Sequence, residues 1–70
     1  MLKAGLWKHY KGNIYELLFV AQHTELEDEQ LVIYRSAKDK GQYWARPYKM
    51  WLETVEIDGK EVRRFEYIGD

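Results

Sequence analysis

Oily and polar positions alternate along most of the 70-residue chain with the two-residue period of β-strands, and turn residues interrupt them at short intervals. Leu6–Tyr10 is short and aromatic. Lys11-Gly12-Asn13 follows as a turn, with Gly12 and Asn13 suited to positive φ. Ile14–His23 is the longest predicted strand. Tyr15, Leu17, Phe19 and Ala21 share one parity, while Leu18 and Val20 make the other parity oily as well. A strand apolar on both faces is expected to be covered twice, as the strands of a small closed barrel are.

Thr24–Gln30 is a polar, acidic connection, and Leu31–Ser36 is a strand rich in β-branched and aromatic residues. Lys38-Asp39-Lys40-Gly41 turns the chain into a strand over Gln42–Arg46. Pro47 ends that strand, because it fixes φ and has no amide to donate. Tyr48–Leu52 has the length of one helical turn, and a single 3₁₀ turn is expected there. Val55–Val62 alternates about Asp58-Gly59, the pair that favours a type I′ hairpin. A two-residue loop would oppose Ile57 to Lys60, Glu56 to Glu61 and Val55 to Val62. Phe65 and Tyr67 then stand at the opposite parity from Val62. The strand must either bulge near Arg63-Arg64 or turn a corner, and a bulge is expected.

Five to six short antiparallel strands with one helical turn before the last hairpin predict an all-β domain over residues 1–70, closed as a small SH3-like barrel. An OB-type barrel ranks second, for want of its longer helix. A chain this size exposes roughly 4,700 Å² when folded, so nearly every large side chain must serve the core. Three Trp, six Tyr and two Phe meet that demand. Cysteine is absent, which removes disulfides and thiolate metal sites and fits a reducing compartment. Leu17–Ala21, the longest oily run, is far short of a membrane span, and Met1–Gly5 does not open a secretory signal. A cytoplasmic location is expected.

The formal net charge of −1 argues against bulk attraction to nucleic acid or anionic lipid. Cations nevertheless recur beside large rings, in Trp7-Lys8-His9-Tyr10-Lys11, Tyr34-Arg35 and Tyr43-Trp44-Ala45-Arg46. Trp, Tyr and Arg dominate binding hot spots, and guanidinium groups stack on aromatic faces. His9, Tyr10, Arg35, Trp44 and Arg46 are therefore the candidate groove, with Trp44 and Arg46 on one face of a strand. The competing reading makes Trp7, Tyr34 and Trp44 core residues, with Lys8, Arg35 and Arg46 reaching outward or pairing with Glu16 and Glu53.

Catalysis is not expected. Ser36 is the only serine, it lies within a strand pattern, and the acids of Glu25–Glu29 read as a solvated loop. His9, His23 and Glu25 form no short-spaced ligand motif, and the turn glycines do not make a phosphate loop, so neither metal nor cofactor is expected. The expected role is a binding module for a protein or peptide segment. Single-stranded nucleic acid is the alternative ligand, homodimeric assembly an alternative role, and an anion held between Arg35 and Arg46 a weaker one.

His9-Tyr10-Lys11-Gly12, Ala21-Gln22-His23-Thr24-Glu25, Val32-Ile33-Tyr34-Arg35, Trp44-Ala45-Arg46-Pro47 and Val55-Glu56-Ile57-Asp58-Gly59, followed by Arg64-Phe65, together resemble the short bacterial proteins of domain-of-unknown-function family 1653. The resemblance spans nearly the whole chain. It implies a compact bacterial β domain with no established activity. Phe19 departs from it, standing where the family often has Gly, as does Trp51, where Phe is usual.

Overall fold

The computed structural model describes residues 2–70. Strands β1 (Gly5–His9), β2 (Ile14–Gln22), β3 (Gln30–Ser36) and β4 (Trp44–Pro47) lead into one helical turn, α1 (Tyr48–Trp51). Strands β5 (Thr54–Ile57), β6 (Lys60–Arg63) and β7 (Phe65–Gly69) complete the chain. The all-β architecture is as the pattern predicts, with seven strands among the described residues instead of five or six.

The strands form an open five-stranded antiparallel sheet in the order β4-β3-β2-β1-β7, with β5 and β6 as a separate two-stranded ribbon. Closure into an SH3-like or OB-type barrel would join β7 to β4, and that pairing is not made. Strand β4 has only four residues and ends at Pro47, which donates no hydrogen bond to a ladder, before the chain departs into α1.

The oil on both parities of β2 has a different cause from double cover. Leu17 opposes Tyr34 but Phe19 opposes Ile33, so Leu18 is an extra residue that shifts the register. Before the bulge the odd positions Tyr15 and Leu17 face the core; after it the even position Val20 does. Phe19 is thereby turned to the outer face, 57% exposed, instead of sharing the face of Leu17.

Trp7, Leu17, Val32, Tyr34, Trp51 and Phe65 make the core, all on or against one face of the large sheet. Helix α1 carries Trp51 onto that concave face. There it stacks on Phe65, with ring centres 3.8 Å apart and planes 2° from parallel, and meets the edges of Tyr34 and Trp7. One turn is present where a 3₁₀ turn was expected, with α geometry over Tyr48–Trp51, and it tightens at its end into a Glu53 N–H to Met50 carbonyl bond.

The Asp58-Gly59 hairpin has the register that its two-residue loop requires, with φ of 52° at Asp58 and 78° at Gly59. Arg64 resolves the parity conflict as a corner, not as the expected bulge: the chain leaves the β5–β6 ribbon at Arg63 and enters the large sheet at Phe65. Its amide donates to Glu53 carbonyl and its carbonyl accepts from Tyr10 amide, so one residue joins both sheets.

Candidate functional site

Parity decides which of the expected groove residues meet. Trp44 opposes Tyr34 and Arg46 opposes Val32, so both side chains lie on the concave, core-bearing face of the sheet. His9 opposes Phe65 from β1 and shares that face. Tyr10 enters the turn beside it, 4.5 Å between ring centres. Ring contacts then run from His9 to Tyr15 at 6.3 Å and from Tyr15 to Trp44 at 6.2 Å, which joins the two ends of the site through one aromatic ridge.

Arg35 is not part of this face. It opposes Glu16 on the outer side, and its Nε donates to the Glu16 carboxylate at 2.8 Å while one Nη lies 3.4 Å from the Tyr43 hydroxyl. The Glu16 hydrogen bond and charge hold the guanidinium even more firmly protonated than usual. Arg35 and Arg46 stand on opposite faces, so the anion site expected between them does not form.

Arg64 takes the place in the site that was expected of Arg35. Its Nη2 stands 3.5 Å from the half-exposed Glu53 carboxylate, one of the two acids that the competing reading offers to Lys8, Arg35 and Arg46. Arg46 itself has no acid partner among the described residues. Its guanidinium carbon lies over Phe65, 5.5 Å from the ring centre, and its Nε is sealed from solvent without an acceptor. The Nε of Arg64 is sealed in the same way. The indole Nε1 of Trp51 is a third such atom. Buried polar groups in folded proteins nearly always find partners, so three of them here mark an incomplete hydrogen-bonding environment.

His9 responds to these cations. Burial first, then the charges of Arg64, Arg46 and Lys11, push its pKa below the ordinary histidine value, which keeps the ring neutral at pH 7. Nδ1 accepts from the Lys11 amide at 3.2 Å, so the neutral ring carries its proton on Nε2 and can donate there. His23, by contrast, uses its Nδ1 to accept the amides of Glu25 and Leu26 in its own turn.

Two shallow hollows flank the ridge. One, of about 250 Å³, is lined by Tyr15, Trp44, Ser36, Lys38 and the Gly12 turn. The other, of about 500 Å³, lies between His9, Tyr10 and the β5–β6 ribbon. Trp7 and Trp51 are sealed in the core, whereas Trp44 remains 37% exposed at the lip of the first hollow.

The profile of a family described as a protein of unknown function, DUF1653, matches residues 5–67. The chain belongs to the DUF1653 family. A crystal structure of a DUF1653 protein from Bordetella bronchiseptica is similar to it with a TM-score of 0.84 and 30% sequence identity, over 97% of this chain and 88% of that one. No curated protein matches the sequence. The DUF1653 fold is thus shared by two chains that differ at most positions, and in this chain the open sheet with the helical turn that carries Trp51 is the frame that positions the site.

Arg64 and Tyr15 escaped the sequence reading. Tyr15 was visible only as a strand residue on the face of Leu17. For Arg64 one signal existed: the clash of parity between Val62 and Phe65 marks a corner, and a side chain at the corner of two sheets lies between them.

Proposed function

We propose that this protein is a non-enzymatic binding module whose concave aromatic–basic face takes a protein or peptide segment, anchored by a carboxylate. The observation that carries the reading is Arg46: a half-buried guanidinium over the Phe65 ring, without an acid partner among the described residues. A carboxylate on a ligand would supply the charge-assisted, bidentate partner that Arg46 lacks. Arg64 and neutral His9 would add donors, and exposed Trp44 with Tyr15 would offer ring faces to an adjoining apolar or proline side chain.

Low net charge supports a short anchored segment over a polyanion, because long nucleic-acid strands are held by summed positive charge. The lack of cysteine fits action in the reducing cytoplasm, and the Bordetella relative fits a bacterial setting.

The test is a selection from a displayed random peptide library on the wild-type chain and on a Trp44→Ala/Arg46→Ala double variant. The reading expects enriched sequences that carry an acid or a free C-terminus, and loss of enrichment on the double variant while its circular dichroism stays native. Trp44 is the exposed indole, so its fluorescence serves as the readout for individual peptides. Enrichment that ignores the double substitution would overturn the reading. So would a fluorescence response to short oligonucleotides that falls steeply with salt in place of any peptide response.

A further inference from the structure

The outer face of the large sheet carries a second feature, independent of the concave site. Across β2, β3 and β4, Phe19 lines up with Ile33 and Ala45, and Ala21 with Leu31 and Pro47. These six apolar residues occupy three neighbouring strands without a charge among them. The bulge at Leu18 is what brings Phe19 there, and its ring is 57% exposed. On one border of the same face stand Glu16 and Arg35, already paired, with Tyr43 against the guanidinium. An apolar centre with a polar edge is the usual layout of a protein–protein interface.

The size of the molecule points the same way. The chain exposes 5295 Å², whereas a compact monomer of its mass exposes about 4,700 Å². The excess is about 600 Å² per chain, so two chains covering their excess would bury about 1,200 Å², the lower limit of stable protein interfaces. The radius of gyration of 12.5 Å likewise exceeds the roughly 11 Å expected of 70 compact residues.

We infer that a second copy of this chain covers the outer face, giving a two-fold dimer centred on Phe19. A two-fold axis brings the same patch against itself, and the border suits that: it contains one acid and one base, so a rotated copy can set Glu16 towards Arg35 in both directions. The near-zero net charge adds little repulsion between copies. The concave faces would then point away from each other, which presents two aromatic–basic sites per assembly.

Sedimentation and light scattering of the full chain across a wide concentration range test this. The expected mass approaches twice 8.5 kDa as concentration rises. Phe19→Glu is expected to raise the dissociation constant at least about 30-fold, as loss of a central hot spot does. Ala45→Arg, on an exposed position of the edge strand, supplies a second disruption should Phe19→Glu alter the circular dichroism. Arg46→Ala, on the other face, is expected to leave the dimer intact. A single-chain mass at every concentration overturns the inference, and so does a dimer that survives both outer-face substitutions. A larger assembly abolished by Phe19→Glu with no two-chain species would identify a heterologous contact and overturn the two-fold form.

Discussion

Phe65 lies flat against Trp51, ring centres 3.8 Å apart, and this one contact joins the last strand to the helical turn. Trp51 is 1% exposed and Phe65 is 3% exposed. Strand β7 also reaches the concave site through Phe65, since His9 packs on its edge at 5.0 Å and Arg46 lies over its ring. The rigidity of the site therefore depends on the core stack beneath it.

Trp51→Ala removes that floor. Truncating a buried Trp costs about 3–5 kcal/mol. A domain of 70 residues has about 4–10 kcal/mol in total. Chemical denaturation of this variant is expected to show a largely unfolded chain or a midpoint near zero denaturant, whereas Trp51→Phe retains a cooperative transition.

Gly5 is held by geometry instead of packing. Its φ is +132°, and an added Cβ would come 2.8 Å from the Gly69 carbonyl oxygen, a backbone atom of the neighbouring strand. Gly5→Ala therefore combines left-handed strain with a clash that no side-chain rotation relieves. A loss of about 1–3 kcal/mol is expected from thermal or urea melts. Gly12→Ala, with open space around its Cβ, meets strain from its φ of +105° alone and is expected to cost less.

His9 makes stability depend on pH. Its pKa is lower in the folded chain than the 6.5 of an exposed imidazole, chiefly through burial and then through Arg64, Arg46 and Lys11. The unfolded chain thus binds more protons between the folded value and 6.5, so stability rises with pH across that window. As pH falls from 6.5 the folded state loses stability, and the loss stops growing below the folded pKa. His9→Gln is expected to flatten this segment of the stability–pH curve. An unchanged slope would show that the ring titrates as an exposed imidazole does.

Arg35 and Arg46 separate a structural cation from an unpaired one. Arg35 already has Glu16 at 2.8 Å on the outer face, and the pair is partly open to water and salt. Arg35→Ala and Glu16→Ala are expected to change the melting temperature little and to leave peptide selection on the concave face intact. Arg46→Ala is expected to keep the fold and abolish selection.

Much of this architecture can be read from the residues. Asp58-Gly59 dictates the hairpin register, Lys11-Gly12-Asn13 marks the first turn, and Pro47 places the start of the helical turn. The bulge at Leu18 could not be read, because Leu17, Leu18, Phe19 and Val20 are all oily. A slip of phase within such a run looks the same as a strand buried on two sides. That ambiguity is what turned an open sheet into an expected barrel. Arg35 shows a different kind of error. Adjacent strand residues point to opposite faces, so placing Tyr34 in the core already directs Arg35 outward, whereas proximity in sequence had grouped the two. Arg64 needed the tertiary corner, and only the parity mismatch around it announced one.

The most direct test of the central claim is a titration of isotopically labelled protein with acetate, a bare carboxylate, followed at the arginine Nε–H resonances. Arg35, whose Nε already donates to Glu16, serves as the internal reference. Saturable shifts of Arg46 and Arg64, with Arg35 nearly still, are the expected result. Shifts at Arg46 no larger than those at Arg35, or absent altogether, would contradict an anion-accepting face.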